Sequence, residues 1–179
     1  MSTTFSTDST ANATPLTLDS ALSAQVHVLG DALRSKGWTV SSAESCTGGG
    51  VAFAFTSVAG SSDWFNQSWV TYSNDAKRSV LGVTEQTLKE YGAVSKQTVK
   101  EMAEGVRRNS GAQLVVTVSG IAGPGGGSEE KPVGTVWFGF LCGEHEVQIK
   151  QVFSGNRDEV RQHAISFAIT QLIKMLSEN

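Results

Sequence analysis

Apolar side chains recur at Leu22, Val26, Val28, Leu29 and Leu33, a spacing of three to four that lays them along one face of a helix. Asp19 or Ser20 can cap its start, and Gly37 ends it. The pattern then changes. Residues 38–44 open with Trp38-Thr39-Val40 and predict a strand, and Val51-Ala52-Phe53-Ala54-Phe55 predicts a buried helix that ends near Val58-Ala59-Gly60. Ser61-Ser62-Asp63 predicts a single helical turn that tucks Trp64 and Phe65 inward. Residues 67–73 predict a second strand, since Trp69, Val70, Thr71 and Tyr72 are all strand formers, and Asn74 can cap a helix beginning Asp75-Ala76-Lys77.

Further on, Thr84 caps a short helix over 85–91 stopped by Gly92, and Ser95 caps a longer one over 96–109 with Val99, Met102, Ala103 and Val106 on one face. Leu114-Val115-Val116-Thr117-Val118 is apolar almost without interruption, as expected of a central strand buried on both faces. A glycine-dense loop follows, from Ser119 to Ser128, closed by Glu129-Glu130-Lys131-Pro132. Residues 134–141 and 146–153 predict two more strands, and the short Cys142-Gly143-Glu144-His145 connection makes them an antiparallel hairpin. A last helix over 159–176 turns Val160, Ala164, Phe167, Ala168, Leu172 and Met175 inward. Strands alternating with helices, then a hairpin, predict a three-layer α/β/α sandwich around a mixed, mostly parallel sheet. Residues 19–179 form one domain in this view, with Trp64, Phe65, Trp69 and Trp137 in its core. Residues 1–18, rich in Ser, Thr and Asn, are expected to be a disordered tail.

Composition narrows the function classes. A net charge of -3 argues against a general nucleic-acid binder. Two distant cysteines, Cys46 and Cys142, and the scattered His27, His145 and His163 match no metal-ligand spacing. The expectation is a chain without metal or cofactor, with reduced thiols, in the cytoplasm. No apolar run is long enough to span a bilayer, and the start lacks the basic and apolar regions of a signal peptide. The partner expected is therefore a small molecule rather than nucleic acid or membrane, and small α/β enzymes of this kind often assemble as homo-oligomers.

Candidate chemistry gathers where strands end. In an open α/β sheet, ligands bind beyond the carboxyl ends of the strands. Three such ends are polar and glycine-rich here: Glu44-Ser45-Cys46-Thr47-Gly48-Gly49, Tyr72-Ser73-Asn74 with Lys77, and residues 117–128 with Ser119, Gly120 and Gly123. Converging on one cleft, they make Cys46, Thr47, Gly48, Gly49, Asn74, Ser119, Gly120 and Gly123 the substrate-binding candidates. Ser45 is the candidate nucleophile, and it needs a base. The histidines lie elsewhere, so a Ser-His-Asp triad is hard to build. Lys77 is the alternative base, because burial beside a helix N-terminus lowers a lysine's pKa; the competing expectation is a solvated surface lysine. Tyr72 can relay a proton or orient an amide. Cys46 is either a rival nucleophile at a helix N-terminus or a small buried core residue. Glu44 is a structural or supporting partner. Arg157, at the head of the last helix, pairs either with a phosphate or with an acidic neighbour. The amides of residues 46–48 hold either a phosphate or an oxyanion. Neither glycine run has the spacing of a P-loop or a dinucleotide fingerprint.

Several of these stretches together resemble one family. Ala43-Glu44-Ser45-Cys46-Thr47-Gly48-Gly49, Val70-Thr71-Tyr72-Ser73-Asn74 with Lys77, Gly92-Ala93-Val94-Ser95, Ser119-Gly120-Ile121-Ala122-Gly123-Pro124, residues 127–136 and Phe153-Ser154-Gly155-Asn156-Arg157 are similar, in order, to the CinA C-terminal family. The likeness is closest to its stand-alone nicotinamide-nucleotide amidase form and runs from about Leu22 to the C-terminus. The resemblance implies hydrolysis of the carboxamide of nicotinamide mononucleotide to nicotinate mononucleotide and ammonia, in pyridine-nucleotide recycling. It implies Ser45 as nucleophile, Lys77 and Tyr72 as acid/base partners, and no metal. It implies a three-layer α/β/α fold. Larger members carry a further N-terminal domain linked to pyrophosphate hydrolysis, and that activity is not expected of these residues. Asn156 departs from the family, where an aspartate is common. The alternative within the family is a catalytically silent nucleotide-binding module of the competence and damage-inducible type.

Overall fold

The computed structural model describes residues 18–179. Five strands form one sheet: β1 (Val40–Glu44), β2 (Phe65–Val70), β3 (Leu114–Gly120), β4 (Thr135–Cys142) and β5 (His145–Val152), in the spatial order β2-β1-β3-β4-β5. β1 runs parallel to both of its neighbours, whereas β4 runs antiparallel to both of its own. Four strands therefore share a direction and β4 alone opposes them, although half of the strand pairings are antiparallel.

Six helices cover the sheet: α1 (Ser20–Lys36), α2 (Gly50–Thr56), α3 (Asn74–Leu81), α4 (Glu85–Tyr91), α5 (Lys96–Ser110) and α6 (Arg157–Ser177). α1, α2 and α6 pack on one face, and α3, α4 and α5 on the other. The strand alternation divides one apolar run between two cores. Leu114, Val116 and Val118 of β3 join Phe138, Phe140, Val26, Leu29, Leu33 and Leu172 under α1 and α6. Val115 joins Leu81, Met102, Val106 and Leu141 under α3 and α5. Gly105 lets α3 and α5 touch: a Cβ there would lie 2.1 Å from the carbonyl oxygen of Leu81. That close approach seats α3, the helix that carries Lys77.

The side-chain caps expected at Asp19, Thr84 and Ser95 are present. Four details differ from expectation. β2 occupies 65–70 rather than 67–73, because its register against β1 pairs Val40 with Phe65 and Glu44 with Val70, so both strands end together. Ser73, not Asn74, caps α3 by accepting from the Ala76 N–H. Val28 is 55% exposed, on the solvent side of α1. Of the four aromatics assigned to the core only Trp64 is fully buried; Phe65, Trp69 and Trp137 are half-buried. The tail expected over 1–18 falls outside the described residues except for Leu18, which packs against the α1/α6 core.

This topology brings the candidate loops together. Parallel β1, β2 and β3 deliver residues 45–49, 71–73 and 121–134 to one edge of the sheet, and β5 delivers the head of α6 to the same edge.

Candidate active site

The turn after β1 is held from both sides. Its ladder continues one residue past the strand, with the Ser45 N–H donating to Val118 O at 2.9 Å and the Thr71 N–H donating to Glu44 O at 2.8 Å. Glu44 and Ser45, adjacent in sequence, then face opposite sides of the sheet, as strand geometry requires.

Glu44 turns toward α2. It is fully buried, and its carboxyl oxygens accept from three backbone N–H groups: Gly49 at 3.0 Å, Val51 at 3.0 Å and Ala52 at 2.8 Å. The first turn of a helix has N–H groups without intrahelical acceptors, and here a side chain of the same chain occupies them. Gly49 stands at the N-cap with φ of 95°, a conformation that a β-carbon would strain. Among the described residues, the N–H groups of Cys46 and Thr47 find no acceptor elsewhere in the chain.

Ser45 turns toward α3. Its Oγ lies 3.1 Å from the Nζ of Lys77, which donates also to Thr71 O at 2.8 Å and reaches Tyr72 O at 3.5 Å. Lys77 is 1% exposed, and no carboxylate forms an ion pair with it among the described residues. Burial without a counter-charge brings its pKa down to about 8. Of the two expectations for Lys77, the buried one describes it, and a solvated surface lysine does not.

The remaining candidates divide by what their side chains do. Cys46 packs into the α1/α6 core, and burial pushes its thiol up to about 11; its thiolate is disfavoured, the opposite of a thiol activated at a helix terminus. The Thr47 hydroxyl is buried with no hydrogen-bond partner among the described residues, as is that of Thr71. Ser119 donates to Ala93 O at 2.7 Å and so ties the β3 loop to the α4–α5 connection. Asn74 is exposed on the first turn of α3. Arg157 makes no ion pair with an acid among the described residues; it donates to Gly123 O at 2.7 Å and to the Tyr72 hydroxyl at 3.2 Å. It thereby bridges the 121–134 loop and the β2–α3 loop. Tyr72 is 61% exposed. Asn156 caps α6 in a reciprocal capping box with Glu159.

Two contributors had no sequence candidate. Thr71 supplies the carbonyl that holds Lys77, a backbone role that side-chain chemistry cannot announce. Arg161 donates to Thr47 O at 3.1 Å and lines a cavity of about 490 Å³ between α2 and α6 with Gly48, Gly49 and Phe53. Its position one helical turn after Arg157 was the available signal. That cavity opens beside the 45–49 turn, on the α2 side, and neither Ser45 nor Lys77 lines it.

A model of the CinA C-terminal domain matches residues 22–176. "Nicotinamide-nucleotide amidohydrolase PncC" of Enterobacter agglomerans is 55% identical over 152 residues, covering 84% of this chain and 93% of that protein. The protein of the same name from Escherichia coli K12 is 49% identical over 162 residues, covering 90% and 98%. The crystal structure of competence/damage inducible protein CihA from Agrobacterium tumefaciens superposes with a TM-score of 0.86 at 40% identity, covering 90% of this chain and 99% of that one. No helix among the described residues is long and apolar enough to cross a membrane.

Proposed function

The chain belongs to the CinA C-terminal domain family, and from that premise we propose that it is an amidohydrolase that converts nicotinamide mononucleotide to nicotinate mononucleotide and ammonia. The observation that carries the proposal is the Ser45–Lys77 contact at 3.1 Å, with the lysine buried and its pKa lowered to about 8. A base of that pKa is partly neutral near pH 7 and can take the serine proton.

The mechanism follows from the two faces of the turn. Ser45 Oγ attacks the carboxamide carbon and its proton passes to neutral Lys77 Nζ. The carbonyl electron pair moves to oxygen, and the free N–H groups of Cys46 and Thr47 donate to that oxyanion. Collapse of the tetrahedral species breaks the C–N bond, and the departing nitrogen takes the proton from Lys77. Water then attacks the Ser45 ester with Lys77 again as base, releasing the carboxylate and restoring the serine. Tyr72 is the second proton carrier: its oxygen accepts from Arg157, so its own O–H is free to donate. Because Glu44 occupies the N–H groups at the head of α2, the substrate phosphate goes to the arginines at the head of α6, with Arg157 nearest the loops. Gly48, Asn74, Gly120 and Gly123 line the path of the ribose.

Ammonia release from nicotinamide mononucleotide, nicotinamide riboside and free nicotinamide tests this. The expected order of kcat/KM places the nucleotide first. Absence of release from the nucleotide overturns the enzyme reading in favour of a silent nucleotide-binding module.

A further inference from the structure

Residues 92–95 and 127–136 take no part in the proton transfers, yet the two stretches meet at one side chain. The Nζ of Lys131 donates to Tyr91 O at 2.9 Å, and a Cβ at Gly92 would lie 3.8 Å from that nitrogen. The sheet places this contact. The Ser45 N–H donates to Val118 O, so Ser119 lies beside Ser45 on the same face of the sheet edge. The Ser119 hydroxyl donates in turn to Ala93 O at 2.7 Å, two residues from Tyr91. Lys131 therefore stands on the Ser119 side of the mouth.

The loop that carries it is folded back on itself. A Cβ at Gly123 would lie 2.6 Å from Val133 Cγ1, and one at Gly127 would lie 3.0 Å from Val133 Cγ2. The Ser128 N–H donates to Lys131 O at 2.9 Å and the Lys131 N–H to Ser128 Oγ at 3.1 Å, which closes a tight turn. The start of the loop, held by Arg157 at Gly123 O, thus lies beside its end, which bears Lys131. Lys131 is half-buried and makes no ion pair among the described residues, although Glu129 and Glu130 precede it. Its acceptor is a neutral carbonyl. A charge-assisted hydrogen bond to an anion is stronger, so an anion arriving here displaces that carbonyl. Two other cations near this edge are engaged elsewhere: Lys77 with Ser45, and Arg161 with Thr47 O on the α2 side. We propose that Lys131 is a specificity-determining residue: it leaves Tyr91 O for the substrate phosphate and holds it together with Arg157, so that the 121–134 loop closes on a nucleotide and not on a riboside. The proposal rests on the nucleotide reading above and adds the group that selects the phosphate.

Calorimetric binding of nicotinamide mononucleotide and nicotinamide riboside tests it, in a Ser45→Ala background where neither is turned over. Lys131→Met is expected to weaken the nucleotide by about 10- to 100-fold and the riboside by less than about threefold. Lys131→Gln keeps a donor for Tyr91 O but loses the charge, and the same selective loss is expected of it. Lys131→Arg keeps the charge and is expected to keep most of the preference for the nucleotide. Equal losses for the two ligands in both neutral variants would make Lys131 a strap between the loop and Tyr91, and would overturn the proposal. So would a nucleotide affinity that both neutral variants leave within about threefold of the Ser45→Ala parent. A Ser45→Ala parent that binds no nucleotide overturns the nucleotide reading itself, and this proposal with it.

Discussion

Glu44 and Ser45 are neighbours in sequence, and both are buried and polar, yet their surroundings differ completely. On the α2 side, one carboxyl group meets three N–H donors at 2.8–3.0 Å, and the polar groups are satisfied. On the α3 side, one ammonium group is buried against two carbonyls and a hydroxyl, with no carboxylate to pair with it. A satisfied buried polar cluster rigidifies a structure, whereas an under-compensated buried charge shifts its pKa instead. The first side holds the turn, and the second is where we propose the reactivity lies.

The largest effect that separates the two sides is expected from Lys77→Met. It removes the proposed base, and we expect kcat to fall by about 10³-fold or more. Stability is expected to move the other way. The folded pKa of Lys77 lies at about 8, below the ordinary 10.5. Below pH 8 the folded chain bears the cost of the buried charge, and stability rises with pH between about 8 and 10.5 as the folded state gives up its proton first. The Met variant is thus expected to be more stable at pH 7 by about 1–3 kcal/mol, with the gain shrinking as the pH is raised through that window. Thermal melts at two pH values measure this. A variant less stable at pH 7 would break the comparison.

Glu44→Gln is expected to act in the opposite sense on stability. The amide turns donors toward N–H donors, and we expect a loss of about 1–3 kcal/mol in chemical denaturation, together with a lower kcat at similar KM as the Cys46 and Thr47 amides lose their placement. Next comes the pH profile of the wild type: kcat/KM is expected to climb with pH and level off above about 8, as Lys77 loses its proton. A flat profile between pH 6 and 9 would contradict Lys77 as the base. Smallest is Asn156→Asp. Both residues cap helices equally well, so replacing the family-divergent residue is expected to change stability by less than about 0.5 kcal/mol and to leave turnover alone.

How much of this could be read from the chain depends on how local each cause is. Helix starts at Asp19, Thr84 and Ser95 were legible because a cap is a contact across three residues. The central place of β3 was legible because its run is apolar on both faces. β2 starts two residues and ends three residues before the strand that the pattern predicts: Thr71 and Tyr72 are good strand formers, but β2 is an edge strand whose ends are set by β1. In the site, the residue types, the sheet edge and the pairing of Lys77 with Ser45 could be foreseen, but the partners of Arg157 could not. The contact between Lys77 and Ser45 spans 32 residues, and that between Arg157 and Tyr72 spans 85. The burial of Lys77 depends on α3 lying tight against α5 at Gly105, which no local pattern announces.

The serine–lysine mechanism is tested most directly by ammonia release from nicotinamide mononucleotide by the wild type, Ser45→Ala and Lys77→Ala, side by side and with a chelator present, alongside calorimetric binding of the same nucleotide. The expected result is chelator-insensitive release by the wild type, loss of release in both variants, and retained binding in Ser45→Ala. Release that survives Ser45→Ala, or that the chelator abolishes, would contradict a serine–lysine amidohydrolase.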